Sequence, residues 1–119
     1  MPYISTEHVK RIRDEIKSKF PQYKFSIRRQ HSMSVSLSII SGPLDLMNGV
    51  THSYEQVNKF YIKDNYSNFP EKMKLLQEIY EIIDRENGTL VVDSDYGVVP
   101  NYYIDISIGE WNKPYIIKN

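Results

Sequence analysis

The stretch HSMSVSLSII, residues 31–40, alternates from Ser32 to Ile39: Met33, Val35, Leu37 and Ile39 fall on one parity, Ser32, Ser34, Ser36 and Ser38 on the other. A period of two is the pattern of a strand with one face in a core and one toward water. The segment before it, YKFSIRR, has the same period, with Tyr23, Phe25 and Ile27 inward and Lys24, Ser26 and Arg28 outward. Two such runs joined by a tight Arg29-Gln30-His31 connection predict an antiparallel hairpin. Its outer face would carry a row of hydroxyls beside Lys24, Ser26 and Arg28 as cross-strand neighbours.

Working outward, STEHVKRIRDEIKSKF predicts a helix capped by Ser5 or Thr6 and ended by Pro21, with Val9, Ile12, Ile16 and Phe20 as its apolar stripe. Arg11–Glu15 and Glu15–Lys19 have the spacing of ion pairs on its outer face. SYEQVNKFYIK reads as a short helix, Ser53 and Gln56 having capping-box spacing. PEKMKLLQEIYEIIDREN is the clearest helix: Pro70 suits its first turn, Met73, Leu76, Ile79, Tyr80 and Ile83 form its stripe, and Gly88 its C-cap. TLVVD and YYIDISIG read as strands, the latter with Tyr102, Ile104, Ile106 and Ile108 on one face and Tyr103, Asp105 and Ser107 on the other.

The expected architecture is therefore a single α+β domain over residues 1–119, in the order α-β-β-α-α-β-β. Its mostly antiparallel four-stranded sheet would have the helices on one face and the serine row on the other. At 119 residues such a domain buries roughly two-thirds of its unfolded surface. The absence of cysteine excludes disulfides, thiol nucleophiles and zinc–thiolate centres. No apolar run approaches the length of a membrane span, and MPYISTEHVKRIR has no signal-peptide core. The expected location is a cytoplasm, with no membrane partner.

Net charge is zero, but unevenly spread. Residues 1–31 hold eight Lys and Arg against three Asp and Glu; residues 64–110 hold three against ten. A uniformly basic nucleic-acid binder is thereby disfavoured, while one basic face, made of Lys10, Arg13, Lys17, Lys24, Arg28 and Arg29, remains a candidate. The outward positions of the hairpin are serines rather than aromatics, so a base-stacking platform is missing.

Three further features are candidate sites. Asp93-x-Asp95-x-Gly97 has the front half of a calcium loop but no later bidentate acid at the right spacing. Asp93, Asp95, Asp105 and Glu110 suggest a metal-dependent nuclease only if Lys113 serves as its lysine. His8, His31 and His52 lie in unrelated elements without ligand spacing. No metal, cofactor or catalytic residue is expected, and the chain is read as non-enzymatic. Ten Tyr, four Phe and one Trp favour interaction surfaces, with Tyr54, Tyr61, Tyr66, Tyr96 and Trp111 expected to be exposed. Asp93, Asp95, Tyr96, Glu110 and Trp111 form the expected protein-binding set.

STEHVKRIRDEIKSKFPQYKFSIRR, VSLSIISGP and SDYGVVPNYYIDISIGEWNKPY together resemble the large polyvalent protein-associated domains, the twenty-ninth type of that series. KFPQYKFSIRR and IGEWNKP are the most specific pieces. The chain departs from the pattern at Gly97–Asn101, where relatives often place a Thr-Asp pair, and at Ile39-Ile40-Ser41, where some have Trp. The resemblance implies a phage or mobile-element setting, a bacterial host, and a role in helping incoming DNA establish itself, in some cases against host defences. It supplies no catalytic residue. The expected function is binding to a host protein, a component of a defence system, with nucleic-acid binding as the alternative.

Overall fold

A computed structural model describes residues 3–47, 54–85, 87, 89–91, 98–100 and 102–118. The chain runs α1 (Thr6–Lys19), β1 (Lys24–Gln30), β2 (Ser34–Gly42), β3 (Glu55–Val57), α2 (Ile62–Asn65), α3 (Pro70–Asp84), β4 (Thr89–Val91), β5 (Val98–Pro100), β6 (Tyr103–Ile108) and β7 (Ile116–Ile117).

The hairpin predicted from the serine stretch is present, and β1 and β2 pair antiparallel from Gln30↔Ser34 to Lys24↔Ser41. Its turn falls two residues later than expected, on His31 and Ser32. Both adopt left-handed backbone angles (φ 53° and 62°), and Met33 N–H closes the turn onto the Gln30 carbonyl at 3.0 Å. That is the mirror-image turn whose twist suits a hairpin, built here without glycine. The alternation also breaks where Phe25 opposes Ile39 and Lys24 opposes Ser41. Ile40 is the extra residue of a β-bulge, and it is buried although it has the outward parity.

The rest of the sheet corrects the expectation in three ways. It is mixed and has five strands: β6 lies parallel to β2, β3 antiparallel to β6, and β7 continues parallel to β2 at Ser41 and Gly42. Alternation fixes which face a residue takes, not which strand lies beside it or in which direction, so this order was invisible to the period. Second, β4 pairs with β5 in a separate two-stranded sheet instead of joining the main one. Third, the predicted helix over SYEQVNKFYIK contains β3, and only the single turn α2 follows. Pairing with β6 gives Glu55–Val57 its extended form.

The helices do cover one face. Val9, Ile12, Ile16 and Phe20 of the first helical segment are all buried. They share one core with Phe25, Ile27, Val35, Leu37, Ile39, Ile104, Ile106 and Ile108 of the sheet. Each fully buried aliphatic side chain contributes about 1.5–3 kcal/mol. Ser5 is the α1 cap, accepting His8 N–H at 3.1 Å. Pro70 opens α3 as expected, but the α3 stripe is rotated: Leu75 and Ile82 are buried, while Met73 and Tyr80 only pack against the edge of the core. Gly88, its expected cap, lies outside the described residues. Glu15 is drawn across to Arg85 at 2.8 Å, tying the outer side of α1 to the end of α3.

Candidate protein-binding surface

Register places three rows of side chains on the face away from the helices. Gln30, Ser34 and Tyr103 lie side by side; then Arg28, Ser36 and Asp105; then Ser26, Ser38 and Ser107, with Gln56 of β3 at the end. The face is mostly polar, small hydroxyls flanked by Gln30, Arg28, Asp105 and Gln56 with Tyr103 as its aromatic, because alternate residues of β1, β2 and β6 face opposite environments.

A turn at the end of β6 folds over the third row. Gly109 starts it with φ +73°, a conformation that L side chains rarely adopt, and its N–H donates to the Ile39 carbonyl at 2.7 Å. A Cβ there would stand 2.7 Å from the Tyr115 nitrogen. Glu110 and Lys113 then exchange two backbone hydrogen bonds, 2.8 and 3.0 Å, leaving Trp111 and Asn112 at the tip. Trp111 is 81% exposed. Tyr115 brings the chain back, donating its hydroxyl to the Leu44 carbonyl at 2.6 Å, before β7 docks on β2.

Two side-chain contacts hold the turn down. Ser107 Oγ donates to the Gly109 carbonyl at 3.0 Å, which leaves Ser38 as the donor to Ser107 across their 3.0 Å contact. Ser38, expected to be solvated with the rest of its row, is buried as a result. Arg28 Nη2 donates to Glu110 Oε2 at 3.1 Å. This pair is half exposed, worth about 0.2–1 kcal/mol in stability, and its main effect is to fix the turn relative to the sheet.

The expected protein-binding residues therefore divide. Glu110 and Trp111 lie together on this turn, and the Glu110 carboxylate is spent on Arg28 rather than presented outward. Asp93, Asp95 and Tyr96 lie outside the described residues. Of the residues expected to be exposed, Tyr54, Tyr61 and Trp111 are, whereas Tyr66 is buried. Its hydroxyl is hydrogen-bonded to Glu55, and its ring lies 4.5 Å beneath the Lys72 ammonium. Burial and the neighbouring carboxylate push the Tyr66 phenol well above its usual range.

The six candidate cations divide as well. Arg13 donates to the Ile27 carbonyl at 2.8 Å, and Arg29 donates to the Ile4 carbonyl at 2.7 Å while stacking near Tyr3. Arg13 thus closes a backbone group of β1 and Arg29 one of the segment before α1, and Arg28 is held by Glu110. Lys10, Lys17 and Lys24 are exposed. Among the described residues no three His, Asp or Glu side chains converge as a metal site, and no helix is long and apolar enough to cross a membrane.

These features define a compact α+β domain with a polar open sheet face and a pinned aromatic turn. The chain belongs to the family of large polyvalent protein associated domain 29, whose model matches residues 3–100. The matched span takes in KFPQYKFSIRR and ends at β5, so β6 and the IGEWNKP turn lie beyond it. The chain has no significant match among curated proteins or solved structures.

Proposed function

We propose that the chain is a non-enzymatic phage or mobile-element accessory domain that binds a host protein, a component of a bacterial defence system, in the host cytoplasm. The observation that carries this reading is Trp111, 81% exposed on a turn fixed by Gly109, Ser107 and the Arg28–Glu110 pair. An exposed indole on a flexible loop would lose its binding energy to ordering; on a pinned turn that cost is met before the partner arrives. Tryptophan is also among the residues that most often dominate the energy of protein interfaces. Family membership supports the setting. In this reading the turn and the open sheet face block a functional surface of the target sterically.

The test is capture of partners from a lysate of a low-GC bacterium with the tagged domain, run with and without nuclease and repeated with Trp111→Ala. A stoichiometric protein that survives nuclease and is lost with Trp111→Ala supports the reading. Partners that disappear with nuclease transfer the function to nucleic acid, with Lys10, Lys17 and Lys24 as the exposed cations of that alternative.

A further inference from the structure

The open sheet face continues past the rows that begin at Gln30, Arg28 and Ser26. Beyond the bulge Lys24 stands opposite Ser41, and Ser41 opposite Ile116 of β7. Cross-strand partners share a face, and Gly42, one residue on, has its absent Cβ aimed at Tyr23 on the core side. Ser41 therefore takes the open side, and Lys24 and Ile116 flank it in a fourth row at the foot of the Trp111 turn. Ile116 is 52% exposed. An aliphatic side chain thus accompanies the exposed indole at this end of the face. Lys113 is exposed on the turn itself, and Lys118 follows two residues after Ile116, its backbone N–H on the Gly42 carbonyl at 2.7 Å.

The turn ends an acidic stretch of sequence, yet folding surrounds it with cations from elsewhere in the chain. Its own carboxylate, Glu110, is neutralised by Arg28 at 3.1 Å. Asp105 lies in the second row, opposite Ser36 and away from Lys24. Asp45 and Glu71 bear on the Tyr115 and Tyr23 phenols, both packed on the core side of the sheet. That leaves Lys24, Lys113 and Lys118, all exposed and none in an ion pair among the described residues. Three uncommitted ammonium groups against one more distant carboxylate make this end of the face net basic. Phosphates would meet the same charge, but stacked bases need successive rings, and Tyr103 is in the first row, at the opposite end of β6. The apolar neighbour here is Ile116, which suits an aliphatic pocket on a protein. Carboxylates around such a pocket would complement the lysines.

We infer that the Trp111 turn docks on an acidic surface of its partner protein, with Lys24, Lys113 and Lys118 facing carboxylates around the indole. The inference rests on the protein-binding role proposed for Trp111 and adds the chemistry of what it binds. The experiment titrates the whole domain with a short polyglutamate peptide bearing a central leucine pair. The same peptide with lysine for glutamate, and an oligo(dT) strand, are the comparisons. Trp111 is the chain's one tryptophan, so indole fluorescence reports on this turn alone, and backbone-amide NMR shifts map the rest of the contact. Lys24→Glu, Lys113→Glu, Trp111→Ala and, as a control cation on α1, Lys10→Glu are titrated in parallel; all four side chains are exposed, so folding is retained.

The expected result is saturable binding of the acidic peptide, weakened by salt, with shifts at residues 24–28 and 107–118. Lys24→Glu and Lys113→Glu should each weaken it about fivefold, the range of one exposed charge pair, and Lys10→Glu less than about twofold. Trp111→Ala, followed by NMR, should weaken it about tenfold. The inference is overturned if the acidic peptide does not bind saturably or binds regardless of both charge reversals. It is equally overturned if the lysine peptide binds as tightly, or if oligo(dT) shifts these amides instead. Those results leave the protein-binding role of Trp111 to the lysate capture, where independence from Trp111→Ala would remove that role itself.

Discussion

Gly42, in the Ser-Gly-Pro that ends β2, offers the sharpest test of the packing. A Cβ added there would clash with the Cδ1–Cε1 edge of the Tyr23 ring, whose Cγ would stand only 2.9 Å away. Nothing about the backbone forbids alanine, since Gly42 has no left-handed angle. The obstacle is one side chain. To admit a methyl group, the Tyr23 ring must leave its place against Phe25, 6.2 Å away between centroids, and against the edge of the core. Overpacking of this kind costs about 1–3 kcal/mol, and urea slopes of about 1–3 kcal/mol per molar turn that into a midpoint shift of about 1 M. Tyr23→Ala alone should cost about 2 kcal/mol for a half-buried aromatic. In the Gly42→Ala background it should cost almost nothing, because the ring has already been displaced. Urea unfolding of the two single variants and the double variant gives the coupling directly, expected at about 1–2 kcal/mol. Additivity within about 0.5 kcal/mol, or a neutral Gly42→Ala, would refute the argument. Gly109→Ala serves as the contrast: its obstacles are the Tyr115 nitrogen and its own φ of +73°. It should lose about 2–3 kcal/mol, and no side-chain truncation should restore it.

Replacing His31-Ser32 by Asn-Gly should raise stability by about 1–2 kcal/mol, because both native residues hold left-handed angles that glycine and asparagine adopt at lower cost; an unchanged urea midpoint would sink that reading of the turn. Lys72 is 2% exposed, its ammonium has no hydrogen-bond acceptor and stands 3.5 Å from a Glu55 carboxylate already bonded to Tyr66. Lys72→Met should therefore be neutral or stabilising by about 1 kcal/mol, whereas Glu55→Gln, which strands the buried ammonium, should cost about 3 kcal/mol; thermal melts showing the reverse order would overturn it. Tyr66 and Tyr115 keep their protons above the ordinary value of 10.0, chiefly because they are buried. In the unfolded chain they ionise near pH 10.0, so stability is intact below that pH and falls as pH rises beyond it. Melting temperatures from pH 8 to 11, followed with tyrosinate absorbance, should decline only above about pH 10, less steeply in Tyr66→Phe.

Much of this fold can be read from period alone. The α1 stripe, the inward parities of β1, β2 and β6, and Pro70 at the head of α3 all follow from spacing, because a long amphipathic element repeats its preference many times. β3, β5 and β7 have three, three and two residues, too few to establish a period, and they are extended because a neighbour pairs with them. The same limit governs the site. Arg28 and Glu110 are 82 residues apart, and one was assigned to a nucleic-acid face and the other to a protein-binding face. Only the parallel pairing of β2 with β6 brings those two segments together. Exposure of Tyr54 and Tyr61 against burial of Tyr66 was equally illegible, since the three are the same residue type and only tertiary packing puts Tyr66 in the core, with its hydroxyl on Glu55.

The central strand also sets a timetable. β2 is complete at Gly42, yet two of its three partners, β6 and β7, begin at Tyr103 and Ile116. During synthesis the hairpin would emerge with one long edge of unsatisfied backbone groups, and about sixty residues must follow before anything in the chain can close it. Loops of that size make folding slower than in a helical bundle. Until β6 arrives, the Val35–Leu37–Ile39 side of β2 is an open strand edge of the kind that other nascent chains can join. A ribosome pause placed between the codons for α3 and β6 should thus aggregate this domain, while the same pause after β7 should leave it intact.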